Sequence, residues 1–190
     1  MKLHIIKDQK KIKYPVGYYI QDAINFINNV TQVIVEMTKK KQFPLKNIDI
    51  WVRGSSGAIL GGLLCQRLLS IGYENLYVIH IKKDGEESHT ENIWKTGSKY
   101  HIVIDDFTAS GETMDKIAEQ AGKYIKYIDL LIVSKIALDA EYDDNDESKI
   151  ESLHLRHFVP KTLICGGINV AKKDLKHLRK LKPTNINKLC

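Results

Sequence analysis

The chain has 190 residues and a mass of 21.7 kDa, with 43% apolar and 27% charged side chains, enough for one generous domain with a real core and inconsistent with extensive disorder. No apolar run reaches the ~18 residues of a membrane span, and the opening MKLHIIKDQKK holds no signal-type apolar segment, so a soluble cytoplasmic protein without a membrane partner is expected. The net charge of +6 coincides with residues 171–190, where seven basic side chains face one acid, Asp174, so any nucleic-acid partner is expected only through that tail and the other 170 residues balance.

Residues 1–18 read as a short strand or hairpin punctuated by Pro15 and Gly17. A helix is predicted over 21–40, with Ile24, Ile27, Ile34 and Met37 on one side. The run IDIWVR predicts a strand at 48–53, followed by a helix at 57–69 that is apolar nearly all round. A second strand is predicted at 76–81, then a polar connection of 83–99, longer than α/β units normally use. Strand 101–105, helix 113–121 and strand 128–133 follow, then an irregular stretch at 139–157 whose acidic run reads as a solvated loop. Strand 162–165 and an amphipathic basic helix over about 169–182 complete the chain. Continuous apolar strands alternating with helices predict an α/β fold, a parallel sheet covered on both faces. Cys65, Cys165 and Cys190 are scattered without metal-ligand spacing, which argues against a disulfide scaffold.

The chemistry concentrates after strand 101–105. Asp105 and Asp106 end an apolar run, and Ser110, Gly111 and Thr113 open the next helix. Acids at the carboxyl end of a parallel strand face the ligand crevice of an open sheet, while a small-residue turn at a helix start offers N–H groups to a phosphate. Two carboxylates beside such a cradle suit a sugar phosphate, accepting bonds from vicinal hydroxyls or orienting a hydrated Mg²⁺. A turn with a helix cap would explain Ser110 and Gly111 but not two acids joined to an apolar strand.

The segment 101–114 resembles the phosphoribosyl pyrophosphate (PRPP) motif of type I phosphoribosyltransferases, and Val52-Arg53-Gly54-Ser55-Ser56-Gly57-Ala58 is similar to the pyrophosphate loop of that family. The resemblance spans about 46–168 of a single domain covering 1–190. It implies an open parallel five-stranded sheet flanked by helices, with a small hood and a mobile flap over about 83–99. It implies transfer of the 5-phosphoribosyl group from PRPP to a nucleobase, with Mg²⁺ as cofactor and a homodimer as the assembly. By the same resemblance Asp105 and Asp106 hold the ribose hydroxyls and, through ligand or water, the metal. Thr108, Ala109, Ser110, Gly111, Glu112 and Thr113 cradle the 5-phosphate, and Arg53, Gly54 and Ser55 face pyrophosphate.

Lys82, Lys83, Ser88 and His89 resemble a flap of the orotate type, but Glu87 replaces its second lysine. Trp94 stacks on a ligand or anchors the loop. Lys135 and Phe158 resemble the base-binding residues of 6-oxopurine enzymes, with a solvated strand end and a core aromatic as their structural readings. Ala109 stands where hypoxanthine-guanine enzymes place an acid, so proton chemistry at the base must come from elsewhere, or the protein is a PRPP sensor that regulates a nucleic acid or protein partner. The run Gly54-Ser55-Ser56-Gly57-Ala58 also stands one residue from the nucleophile elbow of serine hydrolases, and a Walker-type phosphate loop is absent.

Overall fold

The computed structural model describes residues 1–6, 20–82, 96–108, 112–137, 160–166, 168–169, 176, 179–180 and 182. In chain order the elements are β1 (Lys2–Ile5), α1 (Ile20–Lys39), β2 (Lys46–Arg53), α2 (Gly54–Ser70), β3 (Glu74–Ile81), β4 (Tyr100–Thr108), α3 (Glu112–Ala121), β5 (Leu130–Ala137), β6 (Thr162–Cys165) and β7 (Ile168–Asn169). The strands form one seven-stranded sheet in the order β1-β6-β5-β4-β2-β3, with β7 on β5, and every pairing is parallel.

Strand residues alternate between two apolar layers, as the two-residue period requires. Ile48, Ile50 and Val52 of β2, with Ile102 and Ile104 of β4, pack under α1 and α2 through Phe26, Val30, Ile34, Leu60 and Leu64. Trp51, Val103, Leu131 and Val133 pack on the opposite face against Met114, Ile117 and Ala118 of α3. Burial on both faces is why β2, β4, β5 and β6 read as nearly unbroken apolar runs, whereas β3, at the sheet edge, is largely exposed despite its apolar run.

The α2 face shows how closely helix and sheet approach. A Cβ at Gly61 would lie 2.5 Å from Val52 Cγ1, and one at Gly57 would lie 3.3 Å from the Ile104 carbonyl oxygen. Val52 is β-branched, fully buried and unable to swing aside cheaply. Gly61→Ala is therefore expected to cost about 1–3 kcal/mol by overpacking, read as a lower midpoint in urea unfolding with an unchanged slope.

The structure corrects several expected boundaries. The sheet has seven strands rather than five, because residues 2–5 pair with β6 and Ile168–Asn169 pair with β5. Asn169 is thus a strand residue and not the start of a helix; of 170–182, the described Lys176, Arg179 and Lys180 are helical. The strand predicted at 101–105 runs on to Thr108, and the one predicted at 128–133 runs from Leu130 to Ala137. Helix α2 starts at Gly54, leaving no loop after β2.

Candidate active site

Connections through α2 carry the chain outward from β2 to β3, whereas α3 carries it from β4 to β5 in the other direction. The order reverses between β2 and β4, and in open α/β sheets the ligand crevice lies at the carboxyl ends of the strands at such a switch point. Register between these strands runs from Ile48↔Tyr100 to Trp51↔Val103, while β2 continues to Arg53 and β4 to Thr108. Two of the expected motifs, Arg53-Gly54 and Asp105-Asp106, are thus brought to the two sides of the switch.

Arg53 is 9% exposed, and its Nε donates to the Lys82 carbonyl at 3.3 Å. By strand alternation it lies on the Trp51 side of β2, the side that Asp105 shares with Val103 on β4. Arg53 is also the N-cap residue of α2, with φ −137 and ψ 138, and its side chain makes no capping bond. Gly54 follows at φ 69, a left-handed conformation that side chains resist. The first-turn N–H groups of α2 lack intrahelical partners, and the helix dipole adds positive potential at that end. Close contact at Gly57 seats this turn against β2 and β4. The arrangement of fixed guanidinium, tight glycine and helix start suits an anion.

Asp105 is 5% exposed and accepts the Asp106 N–H on Oδ1 at 2.9 Å; Asp106 is half-buried. One carboxylate is therefore buried at the strand end while its neighbour is partly exposed. Thr108 closes β4, Glu112 opens α3, and Thr113 is half-buried in its first turn. Ser55 is exposed in the first turn of α2 and Lys82 is half-buried just after β3. Lys135 lies within β5, in register with Phe107, rather than after the strand as expected. Ala109, Ser110, Gly111, Lys83, Ser88, His89, Trp94 and Phe158 lie outside the described residues. Neither Ser55 nor Ser56 bonds to a histidine among the described residues, so the hydrolase reading gains no support.

At the other end of the sheet is a buried polar cluster that the sequence reading missed. Thr96 Oγ1 donates to both oxygens of Asp49 at 2.8 and 2.9 Å, and Asp49 Oδ2 is 3.3 Å from His101 Nδ1. Trp51 Nε1 lies 3.5 Å from the same Nδ1. One nitrogen cannot donate to Asp49 and accept from Trp51 together, and the carboxylate is the stronger partner. The cluster ties the entry to β4 onto β2, far from the crevice. Its signal was an acid and a histidine inside apolar strands. Cys165, fully buried near the His4 carbonyl, has its thiol pushed up to about 12 by desolvation, which leaves no thiolate nucleophile there.

No family model matches the sequence, and no curated protein matches it. Solved structures do. Adenine phosphoribosyl transferase from Trypanosoma brucei, in complex with AMP, pyrophosphate and ribose-5-phosphate, matches with a TM-score of 0.50 and 10% identity over 89% of this chain and 77% of that one. Adenine phosphoribosyltransferase from Thermoanaerobacter pseudethanolicus gives 0.47 and 17% over 83% and 92%. A hypoxanthine-guanine-xanthine phosphoribosyltransferase gives 0.46 and 14% over 84% and 80%. The first of these carries the assignment, which is one of fold: the chain has the α/β fold of the type I phosphoribosyltransferases. No helix among the described residues is long and apolar enough to cross a membrane.

Proposed function

We propose that this protein is a Mg²⁺-dependent phosphoribosyltransferase that moves the 5-phosphoribosyl group from PRPP to a nucleobase and releases pyrophosphate, with a 6-oxopurine favoured over orotate. The observation that supports the reading is that Arg53-Gly54 and Asp105-Asp106 follow the carboxyl ends of the paired segments of β2 and β4, where the strand order reverses. Arg53 and the first turn of α2 would take the pyrophosphate; Asp105 and Asp106 would accept bonds from the ribose hydroxyls. The turn from Thr108 to Thr113 would hold the 5-phosphate at the start of α3.

Two adjacent carboxylates without a third ligand suit a hydrated Mg²⁺ shared with the substrate rather than a dedicated cage, since no cluster of three metal-binding side chains exists among the described residues. Such an ion would offset charge on the departing pyrophosphate. In the reaction the bond from ribose C1 to pyrophosphate breaks, a bond from C1 to a base nitrogen forms, and that nitrogen loses its proton. The chain contributes position and charge rather than a covalent nucleophile. Ala109 accepts no proton, so the proton leaves through water or another group. Lys135 and Phe158 are the residues assigned to the base, and they underlie the preference for a 6-oxopurine.

The test is pyrophosphate release from PRPP and Mg²⁺ with hypoxanthine, guanine, xanthine, adenine, orotate or uracil. Turnover is expected with a 6-oxopurine. PRPP binding in calorimetry with no base consumed would replace the transferase by a ligand sensor, and no PRPP binding would overturn both.

A further inference from the structure

Lysines gather at one end of the strand direction among the described residues. Because every strand is parallel, all strand starts share one end of the molecule, opposite the crevice. Lys2 and Lys46 are the first residues of β1 and β2; Lys99 and Lys161 immediately precede β4 and β6; Lys126 lies in the turn that enters β5. All five are exposed. These strands are consecutive in the sheet, β1-β6-β5-β4-β2, so the lysines form a row. At about 4.8 Å per strand the row spans about 19 Å, enough to track several phosphates of one strand. The helix ends add Lys39, Lys40, Lys41 and Lys123.

Helix dipoles account for basic side chains at helix ends, but sheets have only small net dipoles and give no such reason for the strand starts. Carboxylates at this end offset part of the charge: Glu36 pairs with Lys39, Asp129 with Lys161, and Glu74 lies in register beside Lys46. No ion pair joins Lys40, Lys41, Lys46, Lys99 or Lys126 to a carboxylate among the described residues. The positive field registers on a neighbour: His4 has its pKa lowered, first by burial and then by Lys2 and Lys40.

Aromatic rings interrupt the row at its centre. In the turn before β5, Tyr124 is 44% and Tyr127 39% exposed, and Lys161 Nζ lies 5.5 Å from the Tyr127 ring centroid. Exposed tyrosines between such lysines match the needs of a single nucleic-acid strand, whose phosphates seek charge and whose bases seek a flat apolar face.

We propose that the strand-start end of the sheet binds single-stranded nucleic acid, with the lysine row on the phosphates and Tyr124 and Tyr127 beneath the bases. The residues of this surface are not those of the basic tail, and the proposal does not depend on the transferase reading.

The probe is a fluorescein-labelled oligouridine of about 12 nucleotides, titrated against the full chain by anisotropy between about 50 and 200 mM salt. Lys46→Glu/Lys99→Glu/Lys126→Glu is expected to weaken binding at least about tenfold and to flatten the plot of log affinity against log salt by about 2, the loss of three phosphate contacts. Tyr124→Ala/Tyr127→Ala is expected to weaken it about fivefold or more with the slope unchanged. Lys176→Gln/Arg179→Gln/Lys180→Gln, in the tail, is expected to retain the contribution of the row. No binding by the unsubstituted chain, undiminished binding by both the lysine and tyrosine variants, loss of all binding on the tail substitutions alone, or binding of phosphatidylserine vesicles in place of the oligonucleotide would each overturn the proposal.

Discussion

Replacing both acids of the crevice, Asp105→Asn/Asp106→Asn, is expected to lower kcat/KM for PRPP by about 10²–10⁴-fold while leaving the fold intact. The magnitude follows from the bonds at stake. A hydrogen bond to a charged group contributes about 1.5–3 kcal/mol, so two carboxylates exchanged for neutral amides remove about 3–6 kcal/mol from ribose and metal-ion binding. Each amide keeps the shape and one acceptor oxygen, and the side-chain oxygen at position 105 can still receive the backbone N–H of residue 106 that Asp105 receives at 2.9 Å. Thermal unfolding should therefore move by only a few degrees, on the order expected for about 1 kcal/mol. Single substitutions should separate the two acids. Asp105 is 5% exposed, whereas Asp106 is half-buried. Turnover by the double variant at the unsubstituted rate would remove these acids from the mechanism.

Much of this site was legible because its two motifs fall at strand ends. Apolar runs such as HIVI and IDIWVR announce buried parallel strands, and topology then decides that residues following them share one edge. The sequence could not show that β4 continues past Asp105 to Thr108, since the period of a strand does not register where acids replace apolar residues. Nor could it choose between a short strand and a hairpin in residues 1–18, or place β1 in the sheet. Its LHII core is too short to separate from a turn by pattern, and only pairing with β6 makes it a strand. The Asp49, His101 and Thr96 cluster was hidden for a related reason: a buried polar group inside an apolar run looks like noise until its partner, distant in sequence, is known.

The distribution of charge was hidden for want of direction. Counting along the chain makes residues 1–170 neutral, but a parallel sheet sorts them by position within each element. Acids such as Asp22, Asp105 and Asp106 lie at helix starts or strand ends, on the crevice side, while lysines gather where strands begin. Neutrality of the sum therefore coexists with a row of lysines at one end of the sheet.

Gly54→Val is expected to have the second large effect. Gly54 sits at φ 69 between the last residue of β2 and the first turn of α2, and a β-branched residue is a steric outlier there. Holding that conformation costs about 1–3 kcal/mol. Relieving it rotates the peptide, and with it the first N–H groups that the reading assigns to pyrophosphate. The turn cannot retreat as a whole, because Gly57 packs 3.3 Å from the Ile104 carbonyl by its projected Cβ. Loss of one preorganised donor costs about 10²–10³-fold in turnover, so PRPP binding and kcat/KM should fall by at least about 10²-fold. Gly62→Ala supplies the contrast within the same helix. A Cβ at Gly62 meets nothing within 4 Å, so alanine there should be neutral or add about 0.5–1 kcal/mol of stability, with activity retained. If Gly54→Val binds PRPP as tightly as the unsubstituted chain, the anion does not sit on the start of α2, whatever the protein transfers.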